Sequence, residues 1–120
     1  MEVESRFSQQ IVRYLDLATT EAKLTASNMA NLDTPGYQTR GFDFEAEMRE
    51  ALHEVDRGAD GHAVHVKHVD GLIARPDGND VSVDRESLNL AEAQLKFKTG
   101  IVLLRAEYQR TMDAIHADGK

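Results

Sequence analysis

One hundred and twenty residues with a net charge of −7 and no cysteine are expected to make a single domain, 1–120, with a modest core. So acidic a chain has no basic stripe for nucleic acid or anionic lipid, and it carries no disulfide or thiol chemistry. Met1 to Gln10 mixes acids, Arg6 and polar residues, which is no secretory signal, and the longest apolar run, Ile101-Val102-Leu103-Leu104, is far short of a membrane span.

The first segment, 5–31, reads as a helix. Phe7, Ile11, Tyr14, Ala18, Ala22, Thr25 and Met29 recur at spacings of three and four, an amphipathic stripe. Leu17 and Leu24, seven apart, fall on a second face. That face either packs against further neighbours or carries two incidental surface leucines, which are ordinary in soluble proteins.

The helix ends in Asn28-Met29-Ala30-Asn31-Leu32-Asp33-Thr34-Pro35-Gly36-Tyr37. Pro35 stops a helix and pushes Thr34 into an extended conformation, and Pro35-Gly36 suits the centre of a type II turn. Asn28 and Asn31 share a face of the last turn, where their amides can serve unpaired carbonyls or the backbone of the turn.

The middle, 32–83, is less regular. Tyr37 to Phe44 is extended in character, and Glu45 to Val55 has the apolar spacing of a short helix. Residues 56–79 are rich in Gly, Asp and His, and are expected to be the most mobile part of the isolated chain. Ala63 to Val69 alternates as a short strand would, and the Pro76-Asp77-Gly78-Asn79 turn predicts a hairpin between it and Val81-Val83.

A second long helix is expected over 84–117, capped by Asp84. Leu90, Phe97, Ile101, Leu104, Tyr108 and Ile115 fit a heptad seam, and Leu88, Ala91, Leu95 and Val102 make a second stripe. Gly100 costs up to ~1 kcal/mol against Ala in a helix; it either permits a close helix approach or is a tolerated weak point.

The chain has no glycine-rich phosphate loop, no zinc-protease motif and no EF-hand spacing. His62, His65 and His68, with His53 upstream, are the best metal candidates. They match no known ligand spacing, and a strand would turn His62 and His65 to opposite faces, so a joint site needs a loop there. No catalytic residue, cofactor, metal or small-molecule substrate is expected.

Asn28, Ala30, Asn31, Thr34, Pro35, Gly36 and Tyr37 fill every specified position of Asn-x-Ala-Asn-x-x-Thr-Pro-Gly-Tyr. That string resembles the N-terminal motif of the bacterial flagellar axial proteins, the rod and hook family. Arg40 to Phe44 and Asp77 to Val81 are similar to its proximal-rod members, as is the lack of a large central domain. Gln38 and Ala93-Gln94 depart from the family pattern.

The resemblance implies a structural subunit of the flagellar proximal rod, in the periplasm, reached without a cleaved signal through the flagellar type III export apparatus. Phe7 and Ile11 look like the short export signal of early flagellar substrates. The implied partners are copies of the chain, other rod proteins and the small base protein beneath them. The fold expected is mostly α, two long terminal helices packed antiparallel as a coiled coil around a less regular middle. Ile11, Tyr14, Leu17, Leu24, Met29, Leu90, Leu95, Phe97, Ile101, Leu104, Tyr108 and Ile115 are the expected subunit-packing positions. The alternative, on the helices and acidic charge alone, is a cytoplasmic coiled-coil adaptor or export chaperone.

Overall fold

A computed structural model describes residues 5–118; residues 1–4 and 119–120, parts of the expected span and of the Met1–Gln10 stretch, lie outside the described residues. Helix α1 (Arg6–Ala30) starts on Ser5, whose hydroxyl oxygen accepts from the Ser8 amide and so satisfies one free N–H of the first turn. A two-residue strand β1 (Arg40–Gly41) leads into α2 (Phe44–Asp56). A second short strand, β2 (Lys67–His68), precedes the last described element, α3 (Val83–Asp118). The molecule is elongated, 70 × 26 × 17 Å. Among the described residues no helix is long and apolar enough to cross a membrane.

The two long helices pack against each other antiparallel, as the pairs Ser5–Glu107, Glu21–Lys96 and Asn28–Glu86 establish. The contact line on α3 differs from the expected seam. The buried positions are Glu86, Ala93, Gly100 and Glu107, seven apart. Phe97, Tyr108 and Ile115, expected in the seam, are exposed, and Leu90, Ile101 and Leu104 are half-buried. Backbone proximity explains the shift. A Cβ added at Gly100 would lie 2.5 Å from Leu15 Cδ2, so this glycine is a point of close approach. Small residues bring the axes together and displace the large ones to the flanks.

Helix α2 runs back along another face of α1. Tyr14 meets Phe44 edge-on at 5.7 Å between centroids, Arg13 pairs with Glu54 at 3.3 Å, and Arg6 pairs with Asp56 at 3.2 Å. Leu17 is buried on the side of α1 that faces Ala51, so this second face is covered within the chain. The extended segment stops one residue short of expectation. Asp43 caps α2 by accepting from the Ala46 amide at 3.1 Å, which makes Phe44 helical.

Two further expectations are corrected. β2 pairs antiparallel with β1, Arg40 opposite His68 and Gly41 opposite Lys67, in place of a hairpin with Val81-Val83. Val83 already belongs to α3, and the preceding segment is held to the end of α1 by side-chain bonds, which leaves it no free edge to pair. The α3 cap is Ser82, whose hydroxyl oxygen accepts from Arg85 N at 3.3 Å, and Asp84 sits inside the first turn.

Candidate functional site

At the foot of the bundle the end of α1, the turn, β1 and the start of α3 converge. The turn forms around Gly36, at φ +75°, and the Tyr37 amide donates to Thr34 O at 3.2 Å, as a type II turn requires. Asn31 donates from its amide to Ser27 O at 2.8 Å and accepts from the Thr34 hydroxyl at 3.0 Å. Ala30 and Pro35 are exposed, and Met29 and Leu24 are half-buried.

Asn28, 1 % exposed, uses its whole hydrogen-bonding capacity. Its Nδ2 donates to Arg40 O at 2.8 Å and to Glu86 Oε1 at 3.2 Å. Its Oδ1 accepts from Tyr37 Oη at 3.0 Å and Arg40 N at 3.1 Å. One side chain therefore ties α1, the turn, β1 and α3. Glu86 is fully buried, and Arg85 Nη1 donates to its Oε1 at 2.8 Å.

The Asp77 to Val81 string closes the same junction from the far end of the sequence. Asn79, also fully buried, donates from Nδ2 to the carbonyls of Asn31, Leu32 and Thr34, each at 2.9 Å. The Asn31 and Thr34 carbonyls also accept from the Thr34 and Tyr37 amides, and Asn79 takes up acceptor capacity that the end of the helix and its turn leave over. The Gly36 amide donates to Asp77 O at 2.8 Å, and the Thr39 amide to Asp80 Oδ1 at 2.6 Å. Arg75 donates to the carbonyls of Val81 and Leu32. The strings Asn28 to Tyr37 and Asp77 to Val81, two of the three that carried the resemblance, are thus halves of one hydrogen-bonded unit.

A second cluster lies where the loop after α2 folds back. Glu47, buried on α2, has Oε1 2.8 Å from His65 Nδ1 and Oε2 3.2 Å from His62 Nε2, and accepts from the His65 amide at 3.0 Å. Glu54 contacts the other nitrogen of the His62 ring. Burial works to raise the Glu47 carboxyl pKa, yet the hydrogen bonds from the His65 amide and the two rings outweigh it and leave it lowered. His62 is raised, chiefly by its hydrogen bond to Glu54.

No family model matches the chain. It is similar to the flagellar basal body rod protein FlgB of Salmonella typhimurium, 29% identical with 96% of this chain and 94% of that one covered. The FlgB of Yersinia enterocolitica is 27% identical over 92% of this chain and 91% of its own. That of Borrelia hermsii is 32% identical over 69% and 76% respectively. This chain belongs to the FlgB family.

In this FlgB-family chain, the motif residues Asn28, Asn31, Thr34, Gly36 and Tyr37 are brought into one junction. The expected packing positions divide. Ile11 and Leu17 are buried within the chain, and Tyr14 leans on Phe44. Leu95, Phe97, Tyr108 and Ile115 remain outside, and so does Phe7 of the expected export signal. Sequence reasoning missed Glu47, Glu54, Glu86 and Asn79 as individuals. Glu47 and Glu54 flank Ala51 at spacings of four and three in α2, so they share its buried face, and the apolar stripe through Ala51 and Val55 is the signal that turns them inward.

Proposed function

We propose that this chain is a structural subunit of the flagellar proximal rod, and that it polymerises through the outer face of α3. The supporting observation is a row of large apolar residues left mostly exposed among the described residues. Leu88, Leu95 and Val102 lie seven apart and are 60%, 66% and 63% exposed. Each stands two residues beyond a buried seam position (Glu86, Ala93 or Gly100), about 200° round the helix and so on the side away from α1. A helix that already buries one seam has no use for a second at heptad spacing unless another helix covers it.

The relatives are named as flagellar basal body rod proteins, which supports the same reading. In it, neighbours of the same kind cover these rows in a helical array, since contacts that do not close on themselves generate a tube. The junction at Asn28 and Asn79 holds the turn and β1 at a constant angle to the helix pair. Export through the flagellar type III apparatus, without a cleaved leader, delivers the subunit across the inner membrane. Its partners are further copies, other rod proteins and the base protein beneath the rod.

The test is a gene deletion complemented with wild type or with Leu95→Asp. Rings without a rod in the deletion strain, restored by wild type but not by a stably folded Leu95→Asp chain, are expected. Complete rods in the deletion strain would overturn the rod assignment. Full motility with Leu95→Asp would remove the α3 face from the mechanism.

A further inference from the structure

The Glu47 cluster has no part in the hydrogen-bonded junction or in the outer face of α3. Its ligand atoms are a carboxylate oxygen and one nitrogen from each of two imidazoles, all within 4.8 Å of one another. We propose that Glu47, His62 and His65 form a binding site for a divalent transition-metal ion of the zinc class, which staples the loop between α2 and β2 onto α2.

Geometry carries this. Ligands held tetrahedrally at 2.0–2.1 Å from zinc stand about 3.4 Å from each other. The Glu47 oxygens are already 3.2 Å from His62 Nε2 and 2.8 Å from His65 Nδ1, so small side-chain rotations seat an ion. Irregular chain at 60–66 is what makes the pairing possible. In a strand His62 and His65 would diverge, whereas here their ring centroids are 5.3 Å apart.

The support around these three groups also fits a metal. Glu54 contacts His62 Nδ1, the nitrogen away from Glu47, and a proton placed there leaves the Nε2 lone pair aimed at the site. Histidine ligands are commonly oriented by a carboxylate in this way. Glu54 is itself held by Arg13 of α1 at 3.3 Å. With both imidazoles neutral, as metal binding requires, two carboxylates against one guanidinium leave the pocket net negative, which favours a cation. The side chain of His65 is 82% exposed, so the ion has a path from solvent and water can complete its coordination. Two imidazoles and a carboxylate suit zinc, or another late first-row ion such as nickel, better than the all-oxygen shells of calcium or magnesium.

The consequence is structural. A bound ion would add a bridge between α2 and a loop already held to it by the contacts of Glu47 and Glu54, and would fix that loop beside α1 through Glu54 and Arg13. Metal binding of this kind lowers the opening of the segment it bridges.

The experiment is a zinc titration of the purified full-length chain against a chromophoric chelator, in buffer free of other chelators. One ion per chain in the micromolar range is expected, with amide exchange at 59–66 slowed when zinc is present. His65→Ala, at an exposed position that leaves the fold intact, should weaken binding at least ~10-fold, and Glu54→Gln by about 10-fold through the orientation of His62. His68→Ala and His116→Ala should bind as wild type does. Absence of binding in the micromolar range overturns the proposal. So does binding that His65→Ala leaves unchanged, since the ion would then sit elsewhere. Neither outcome bears on rod assembly, which is read separately by motility.

Discussion

Replacing Asn28 by Ala probes the junction at its centre. The substitution deletes four hydrogen bonds at a residue 1 % exposed. Tyr37 is only half-buried, so the loss of its hydroxyl's acceptor is counted as small. The Arg40 amide and carbonyl and the Glu86 carboxylate are left facing a small cavity. Each buried polar group without a partner costs about 1–3 kcal/mol, and Glu86 retains Arg85, so a loss of about 3–4 kcal/mol is expected. For a chain of this size that corresponds to a fall of roughly 10–15 °C in Tm. Asn31→Ala is the internal control. Its amide serves one carbonyl at a half-exposed helix end, and about 0.5–1 kcal/mol is expected. Urea unfolding followed by far-UV circular dichroism gives both values. A loss below ~1 kcal/mol for Asn28→Ala, or equal losses for the two variants, would refute the assignment of Asn28 as the tie between α1, β1 and α3.

Gly36→Val forces a β-branched residue to φ +75°; nothing stands within 4 Å of the new Cβ, so the cost is backbone strain of about 1–2 kcal/mol, and motility should fail through a misdirected turn. Wild-type motility with that variant would mean that the turn angle is irrelevant to assembly. Gly100→Ala gains up to ~1 kcal/mol of helix propensity but drives a methyl into Leu15, and a net loss of about 1 kcal/mol is expected, relieved in the double variant with Leu15→Ala. A stabilised Gly100→Ala chain would contradict the close approach. The Glu107 carboxyl is held below the usual carboxylate range by the Ser5 hydroxyl and then by Arg110. A depressed folded-state pKa contributes stability above the unfolded value that is lost as pH falls through the folded one. Acid should therefore loosen the start of α1 from α3 in wild type and much less in Glu107→Gln, read by amide exchange at residues 6–12.

The local signals in this sequence were strong where one segment answers to its own residues. Ser5 and Asn31 cap the two ends of α1, and Pro35 and Gly36 set the turn that follows, by capping and backbone sterics that need no distant partner. The apolar periodicity of both long helices sufficed to establish a mostly α chain, and the motif around Asn28 sufficed for the family. Partner choice was another matter. Which stripe of α3 faces α1 depends on how closely two backbones approach, and Ala93 and Gly100 decided it against the larger residues beside them. The pairing of β2 with β1 rather than with Val81-Val83 followed from bonds between residues 28–37 and 75–81, groups more than forty residues apart. Likewise the meeting of Glu47 with His62 and His65 needed a loop to fold back over α2. Heptad spacing marks a face as apolar or inward but leaves its occupant open, and only the packed chain separated the row that α1 covers from the row left at Leu88, Leu95 and Val102.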